Sequence, residues 1–258
     1  MSSFNKTIKN VEIFSADADS ISRSSTKVIQ EIILTVNVNG KPLANIACAG
    51  IHLDELAAGF LKSEKIIETG EEIEKIEINN HGNRANVILR DKKKSKKKSV
   101  KNIASSGARG SSANIETLLP VQADFKLKAK VALKLMDELL KKSVLHNKTG
   151  GTHCSALAAK GKIIALREDI GRHNTIDMLG GYALLHKINL SEALILTTGR
   201  ISSEIIYKVW NLGISVIISH SAATAKAVEL LNKANIMLIG YVRNGGMNIY
   251  SHERRIII

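Results

Sequence analysis

The stretch Ala193–Ser219, ALILTTGRISSEIIYKVWNLGISVIIS, decides the fold class. Its first run, ALILTTG, is apolar until two threonines and a glycine end it, and its last, ISVIIS, is β-branched and closes on a serine. Between them SSEIIYKVWNLG reads as a helix. Apolar strands that alternate with helices are expected in a sheet covered on both faces. Working outward, TGGTHCSALAAKGKIIALRED holds two β-rich runs around the turn Lys160-Gly161-Lys162, and HNTIDMLGGYALLHK reads as the helix that follows. Downstream come a helix, TAKAVELLNKA, and a strand, NIMLIGYV. Residues 148–258 are therefore predicted to form an α/β layered domain, a hairpin followed by α, β, α, β, α and β. Ligands of such sheets gather at the carboxyl ends of the strands.

Those ends are polar here. EDIGRHN bunches Glu168, Asp169, Arg172, His173 and Asn174 at one helix start, and TTGRISSE places Thr197, Thr198, Gly199, Arg200, Ser202 and Glu204 at another. The next strand ends in SHSAAT, with Ser219 and Ser221, and the last runs into YVRNGGMN. Unpaired backbone N–H groups at helix starts, flanked by Gly, Ser and Arg, suit an anion or a nucleotide. Each cluster also has a plainer reading: a capped helix start, an Asp169–Arg172 ion pair, a buried hydrogen-bonding His173. Several clusters on one sheet favour a ligand site.

The N-terminal half reads as a smaller α+β unit. STKVIQEIILTVNVNGKPLANIAC breaks at Asn39-Gly40, a hairpin turn between two strands. HLDELAAGFLKSEKII puts Leu53, Leu56, Ala57, Phe60 and Leu61 on one helical face, and EIEKIEIN and RANVILRD alternate at period two around NHGN. A further helix is expected over 124–143, with Asp124 as N-cap and Leu127, Val131, Leu135, Met136 and Leu139 as its apolar stripe. The expected division is 1–102, a small-residue loop over 103–123, and 124–258.

Composition narrows the function classes. With 258 residues, 44% hydrophobic and 24% charged, the chain is an ordinary globular one, and no run approaches a membrane span. Its N-terminus lacks the apolar core of a secretory signal, so the expected location is the cytoplasm. Cys48 and Cys154 stand far apart and in no metal spacing. The net charge of +13 invites a nucleic-acid reading, but KKKSKKK, Lys92–Lys98, supplies six of those charges in one run. Such a run reads as a solvated turn, or as an attractor of an anionic ligand or partner. No aromatic residue interleaves with it, so base stacking is not suggested.

The order of elements also resembles the cytidine deaminase fold. Deaminase chemistry requires a His or Cys with a Glu at one helix start and a cysteine pair at the next. The second helix here opens on GRISSE without cysteine, and His173 alone does not hold zinc, which takes about three protein ligands. No metal site and no zinc deamination are expected.

GGTHCSALA, REDIGRHNTIDMLGG, TTGRISSEIIYKVWNLGISVIISHSAAT and IGYVRNGGMNIYS, in that order, resemble the formate dehydrogenase accessory protein FdhD family, as does LDELAAGFLKSEKII upstream. The resemblance spans nearly the whole chain. It implies a cytidine-deaminase-like C-terminal domain with a smaller N-terminal one, usually as a homodimer. It further implies a cytoplasmic sulfur carrier that takes persulfide sulfur from a cysteine desulfurase and passes it to bis-guanine-dinucleotide molybdenum (or tungsten) cofactor, on the way to formate dehydrogenase. Tyr241, Val242, Arg243, Asn244, Gly245 and Gly246 lie where the family has a cofactor-binding segment. Asp169, Arg172, His173, Arg200, Ser202, Glu204, Ser219 and Ser221 would then face the cofactor's guanine and phosphates, or a GDP-like nucleotide.

One motif departs from the family. Its small-residue loop carries Ser-Cys-Gly-x-Cys-Gly, and the same slot here reads Ser105-Ser106-Gly107-Ala108-Arg109-Gly110. The persulfide positions are thus Ser106 and Arg109. A serine does not replace a thiolate that must both attack and leave. Cys154, beside His153, is the substitute to consider, although neighbours along a strand point to opposite faces. Two functions remain open: a sulfur-transferase-type carrier with its cysteine chemistry moved elsewhere, and a non-sulfurating chaperone that binds the cofactor or a nucleotide. An unrelated nucleotide- or nucleic-acid-binding protein is the third and weakest.

Overall fold

The computed structural model describes residues 7–94, 100–103, 118–122 and 125–258. Two sheets organise them. The N-terminal half opens with a two-stranded antiparallel ribbon, β1 (Ile8–Ala16) and β2 (Ile21–Ile29). A five-stranded sheet follows, made of β3 (Ile32–Val38), β4 (Lys41–Cys48), β5 (Ile73–Ile78), β6 (Arg84–Leu89) and β7 (Lys101–Ile103) in the order β5-β6-β3-β4-β7. The expected β3–β4 turn is present, with Asn39 and Gly40 both left-handed (φ 48° and 78°), as a tight hairpin requires. One face of this sheet is covered by α1 (Leu53–Ser63), whose Leu53, Leu56, Ala57, Phe60 and Leu61 are buried against Leu34, Val36, Ile46 and Val87.

The C-terminal half contains β8 (Leu127–Lys128), α2 (Ala129–Lys142), α3 (Val144–Thr149), β9 (His153–Ala159), β10 (Lys162–Asp169), α4 (Arg172–Leu185), β11 (Ala193–Thr197), α5 (Ser203–Asn211), β12 (Val216–Ser219), α6 (Ala225–Ala234), β13 (Met237–Arg243), β14 (Gly246–Ser251) and β15 (Ile256–Ile257). Six of the strands form one sheet, β10-β9-β11-β12-β13-β14, in which β11, β12 and β13 run parallel. Parallel neighbours need crossovers, and α5 and α6 supply them. Helices α4, α5 and α6 bury Ile176, Leu179, Ile205, Val209 and Leu230 on one face, and α2 buries Leu135, Met136 and Leu139 on the other.

The 124–143 helix needs correction. It begins at Ala129, because Leu127 and Lys128 pair in parallel with β15 and are extended; Asp124, its expected N-cap, lies outside the described residues. Leu127 is still buried in the same core as Leu135 and Leu139, but from a strand.

Helix α4 joins the two halves. It is buried nearly all round, because the six-stranded sheet lies on one side and α1 on the other. The approach of α1 and α4 is close enough to demand glycine at two places. A Cβ at Gly59 would lie 1.7 Å from the Asp177 carbonyl oxygen, and one at Gly181 would lie 1.9 Å from that of Glu55. Around this crossing the polar groups are matched. Lys208 Nζ donates to both Asp177 oxygens at 2.6 Å, and Ser63 Oγ donates to Asp177 Oδ1 at 2.5 Å. Arg167 meets Glu55 with two guanidinium nitrogens, Nη2 at 2.6 Å from Oε1 and Nε on Oε2.

Candidate functional site

The carboxyl ends of β10, β11, β12 and β13 fall at one end of the six-stranded sheet, together with the start of the antiparallel β9. In register, Asp169 lies opposite His153, Ser155 opposite Thr197, and Thr197 opposite Ser219. Hydroxyls link these strand ends. Ser155 Oγ lies 2.7 Å from Thr175 Oγ1 and donates to Thr197 Oγ1 at 2.9 Å, which also accepts from the Gly199 N–H at 3.1 Å. Ser219 Oγ donates to the Gly199 carbonyl at 2.9 Å and accepts from the Ser221 N–H at 3.0 Å. The Ser221 carbonyl in turn accepts from the Tyr241 N–H at 3.0 Å, and His220 Nδ1 lies 2.9 Å from the Val242 carbonyl. All four sequence motifs therefore meet in one continuous network.

Arg172 opens α4 and lies across Gly199, where a Cβ would come within 2.9 Å of its own Cβ. Glycine is required there so that the helix can approach the β11–α5 loop. Ser202 is the N-cap of α5, yet its side chain caps nothing. Between these two helix starts the packing leaves polar atoms unmatched. Among the described residues, the buried side-chain polar atoms without a hydrogen-bond partner are Thr152 Oγ1, Arg172 Nε, both ring nitrogens of His173 and Ser202 Oγ. His173 Nε2 lies 3.0 Å from Glu204 Oε2 but off the line that a hydrogen bond needs, so the contact is electrostatic only. His173 is 2% exposed, and burial, with Lys208, Arg172 and His153 nearby, pushes its pKa down to about 3. His153 is lowered for the same reasons, burial first and then Arg172 and His146. Buried polar groups are nearly always satisfied, and four of these five exceptions belong to Arg172, His173 and Ser202 at the two helix starts, which makes that corner the candidate site.

Tyr241–Gly246 is a hairpin at the edge of the network. The strand continues through Arg243, Asn244 and Gly245 make the turn with φ of 52° and 74°, and β14, which the sequence did not announce, returns from Gly246. Tyr241 has φ 57°, a strained conformation for a bulky residue, and its ring is 43% exposed with the Arg243 guanidinium 3.4 Å above its centre. The pair presents a flat cationic platform to solvent.

Some expected contacts are turned inward. Asp169 is completely buried: Oδ2 accepts from the Ala49 N–H at 2.8 Å, and Oδ1 accepts from the Gly171 N–H at 2.9 Å and from Asn174 Nδ2 at 2.6 Å. It latches α4 to the N-terminal half, with burial holding its pKa up at about 6, and pairs with no arginine. Val242 is a core residue, and Ser219 is fully engaged. Arg200 is exposed beside Arg172 and helps to lower the pKa of that guanidinium, after burial. Sequence reasoning missed His153 and His220; their positions at the same strand ends were the available signal.

Cys154 points into the core beneath α2, away from the network, and burial pushes its thiol up to about 12. Cys48 is buried with its thiol likewise at about 12. Neither supplies a thiolate near neutral pH. Ser106 and Arg109 lie outside the described residues.

Residues 29–257 match the model of the FdhD/NarQ family. The chain is 37% identical over 251 residues to the sulfur carrier protein FdhD of Bacillus licheniformis, covering 95% of each sequence. It is 33% identical over 251 residues to that of Bacillus subtilis, covering 95% of this chain and 96% of the relative. In fold it is similar to a crystal structure assigned as a formate dehydrogenase accessory protein from Desulfotalea psychrophila, with a TM-score of 0.85, 23% identity, and 97% of this chain and 100% of the other covered.

Proposed function

This chain belongs to the FdhD/NarQ family, and from that premise we propose that it serves formate dehydrogenase maturation as a cofactor-binding chaperone without a persulfide of its own. The cargo in this reading is the guanine-dinucleotide molybdenum or tungsten cofactor. What supports it is the convergence, on one sheet end, of the Arg172 and Ser202 helix starts and the Tyr241–Gly246 hairpin around polar atoms the fold leaves unmatched. Guanine is a flat, electron-rich ring that suits the Tyr241–Arg243 platform, and phosphates suit helix starts with arginine beside them. The layers would be those of a cytidine-deaminase-like domain whose metal corner has become a polar notch. Formate dehydrogenase is the client and a second copy the partner in this reading.

Sulfur transfer separates this chain from the carriers it resembles. Its cysteines number two, both buried with thiols at about 12, and its loop slot holds Ser106 and Arg109. A carrier would need a thiolate that attacks a persulfide and later releases the terminal sulfur. Incubation with a cysteine desulfurase and cysteine, followed by intact-mass measurement, is expected to leave the mass unchanged. An added sulfur that disappears in Cys154→Ala would reinstate the carrier function.

A further inference from the structure

The notch between α4 and α5 has a composition that the cofactor reading alone does not explain. Two helices of 14 and 9 residues begin there, so their unpaired N–H groups and positive dipole ends face the same space. Arg172 and Arg200 stand beside it, and Ser202 Oγ and Arg172 Nε supply donors that nothing uses. One anionic group is already present. Glu204, in the first turn of α5, is 43% exposed, and its carboxylate oxygen lies 3.0 Å from His173 without a proper hydrogen bond. A half-exposed carboxylate on its own flexible stem is free to leave. The buried imidazole is not.

We propose that this notch is an oxyanion pocket in which the Glu204 carboxylate holds the ligand's place until a phosphate-type oxyanion displaces it. The proposal deepens the nucleotide reading, on which it rests for the biological source of the phosphate. The displacement is an exchange of one anion for another. Glu204 swings to solvent, and the incoming oxyanion takes N–H and O–H donors that Glu204 does not reach. Proton uptake accompanies the exchange. The groups that act on His173 are Lys208 and Glu204 on α5, Arg172 on α4 and His153 on β9; the cations, with burial, keep the ring neutral. A multivalent oxyanion reverses that balance and favours the imidazolium, so affinity rises as pH falls.

The test uses inorganic pyrophosphate and GDP as calorimetric probes of the full-length protein at pH 6 and pH 8. Wild type is expected to bind pyrophosphate, more tightly at pH 6. Glu204→Gln is expected to tighten it by about tenfold, because the negative charge that competes with the oxyanion is removed. His173→Gln is expected to flatten the pH dependence, and Arg172→Leu to abolish pyrophosphate binding. Pyrophosphate affinity that is unchanged or weaker in Glu204→Gln overturns the placeholder. GDP binding without pyrophosphate binding, intact in Arg172→Leu, sinks the pocket and spares the nucleotide reading. Pyrophosphate binding with no gain from guanosine in GDP supports the pocket and counts against that reading instead.

Discussion

The middle of α4 and its first turn belong to one helix, yet they match their polar side chains in opposite ways. Around Asp177 each charge has a partner: Lys208 and Ser63 on Asp177, and Arg167 on Glu55. One turn earlier, Arg172 and His173 share a notch with Ser202 where buried donors and acceptors make no hydrogen bond. Both regions are buried and glycine-dependent, so packing alone does not separate them. Satisfaction does. A joint that holds two halves together closes its own polar groups, whereas a site keeps some open for its ligand.

This contrast orders the expected effects of substitution. Asp177→Ala should be the most damaging, because it strands the Lys208 ammonium inside the joint. The expected cost is about 3–5 kcal/mol, read as a lower denaturant midpoint, and Asp177→Ala/Lys208→Met should recover most of it. Gly181→Ala comes next, since the contact it creates is with backbone that has no rotamer to yield. A loss of about 3 kcal/mol is expected, lowering Tm by about 10 °C. A Tm within about two degrees of wild type would mean that the helices are not in this contact.

Effects at the first turn should be smaller and dependent on pH. The folded-state pKa of His173 is depressed, so below about 6.5 the unfolded chain binds a proton that the native one refuses. Stability is therefore lost as pH falls from about 6.5 towards 3, by about 2 kcal/mol at pH 5. The stability advantage of wild type over His173→Gln should shrink between pH 7.5 and 5; a constant gap would contradict a neutral buried ring. Asp169 carries the opposite sign. Its folded pKa is raised to about 6, so its contribution favours the native state increasingly as pH falls from 6 towards 4. Arg172→Leu should be smallest of all, within about 0.5 kcal/mol of wild type, because it breaks no matched pair.

The sequence made the parallel strands, α5, α6 and the polar strand ends legible, since each depends on local patterning and on glycine or serine at strand exits. The site's four motifs were legible for the same reason. What it concealed came from distant partners. Asp169 looked like a ligand contact beside Arg172, but its carboxylate is claimed by Ala49, well over a hundred residues upstream. The start of α2 moved because β15, at the far end of the chain, pairs with Leu127 and Lys128. The Gly59–Gly181 approach depends on two helices whose pairing no local pattern reports. Cys154 showed its inward direction only through strand alternation, which the packing beneath α2 bears out.

Binding of a guanine nucleotide's phosphate at the unmatched end of α4 is put to the test by a GDP titration of wild type and Arg172→Leu, with melting curves on both. Saturable binding to wild type, at least about tenfold weaker binding to the variant, and closely similar melting temperatures are expected. Equal affinity in the two proteins, or no binding to a well-folded wild type, would contradict it.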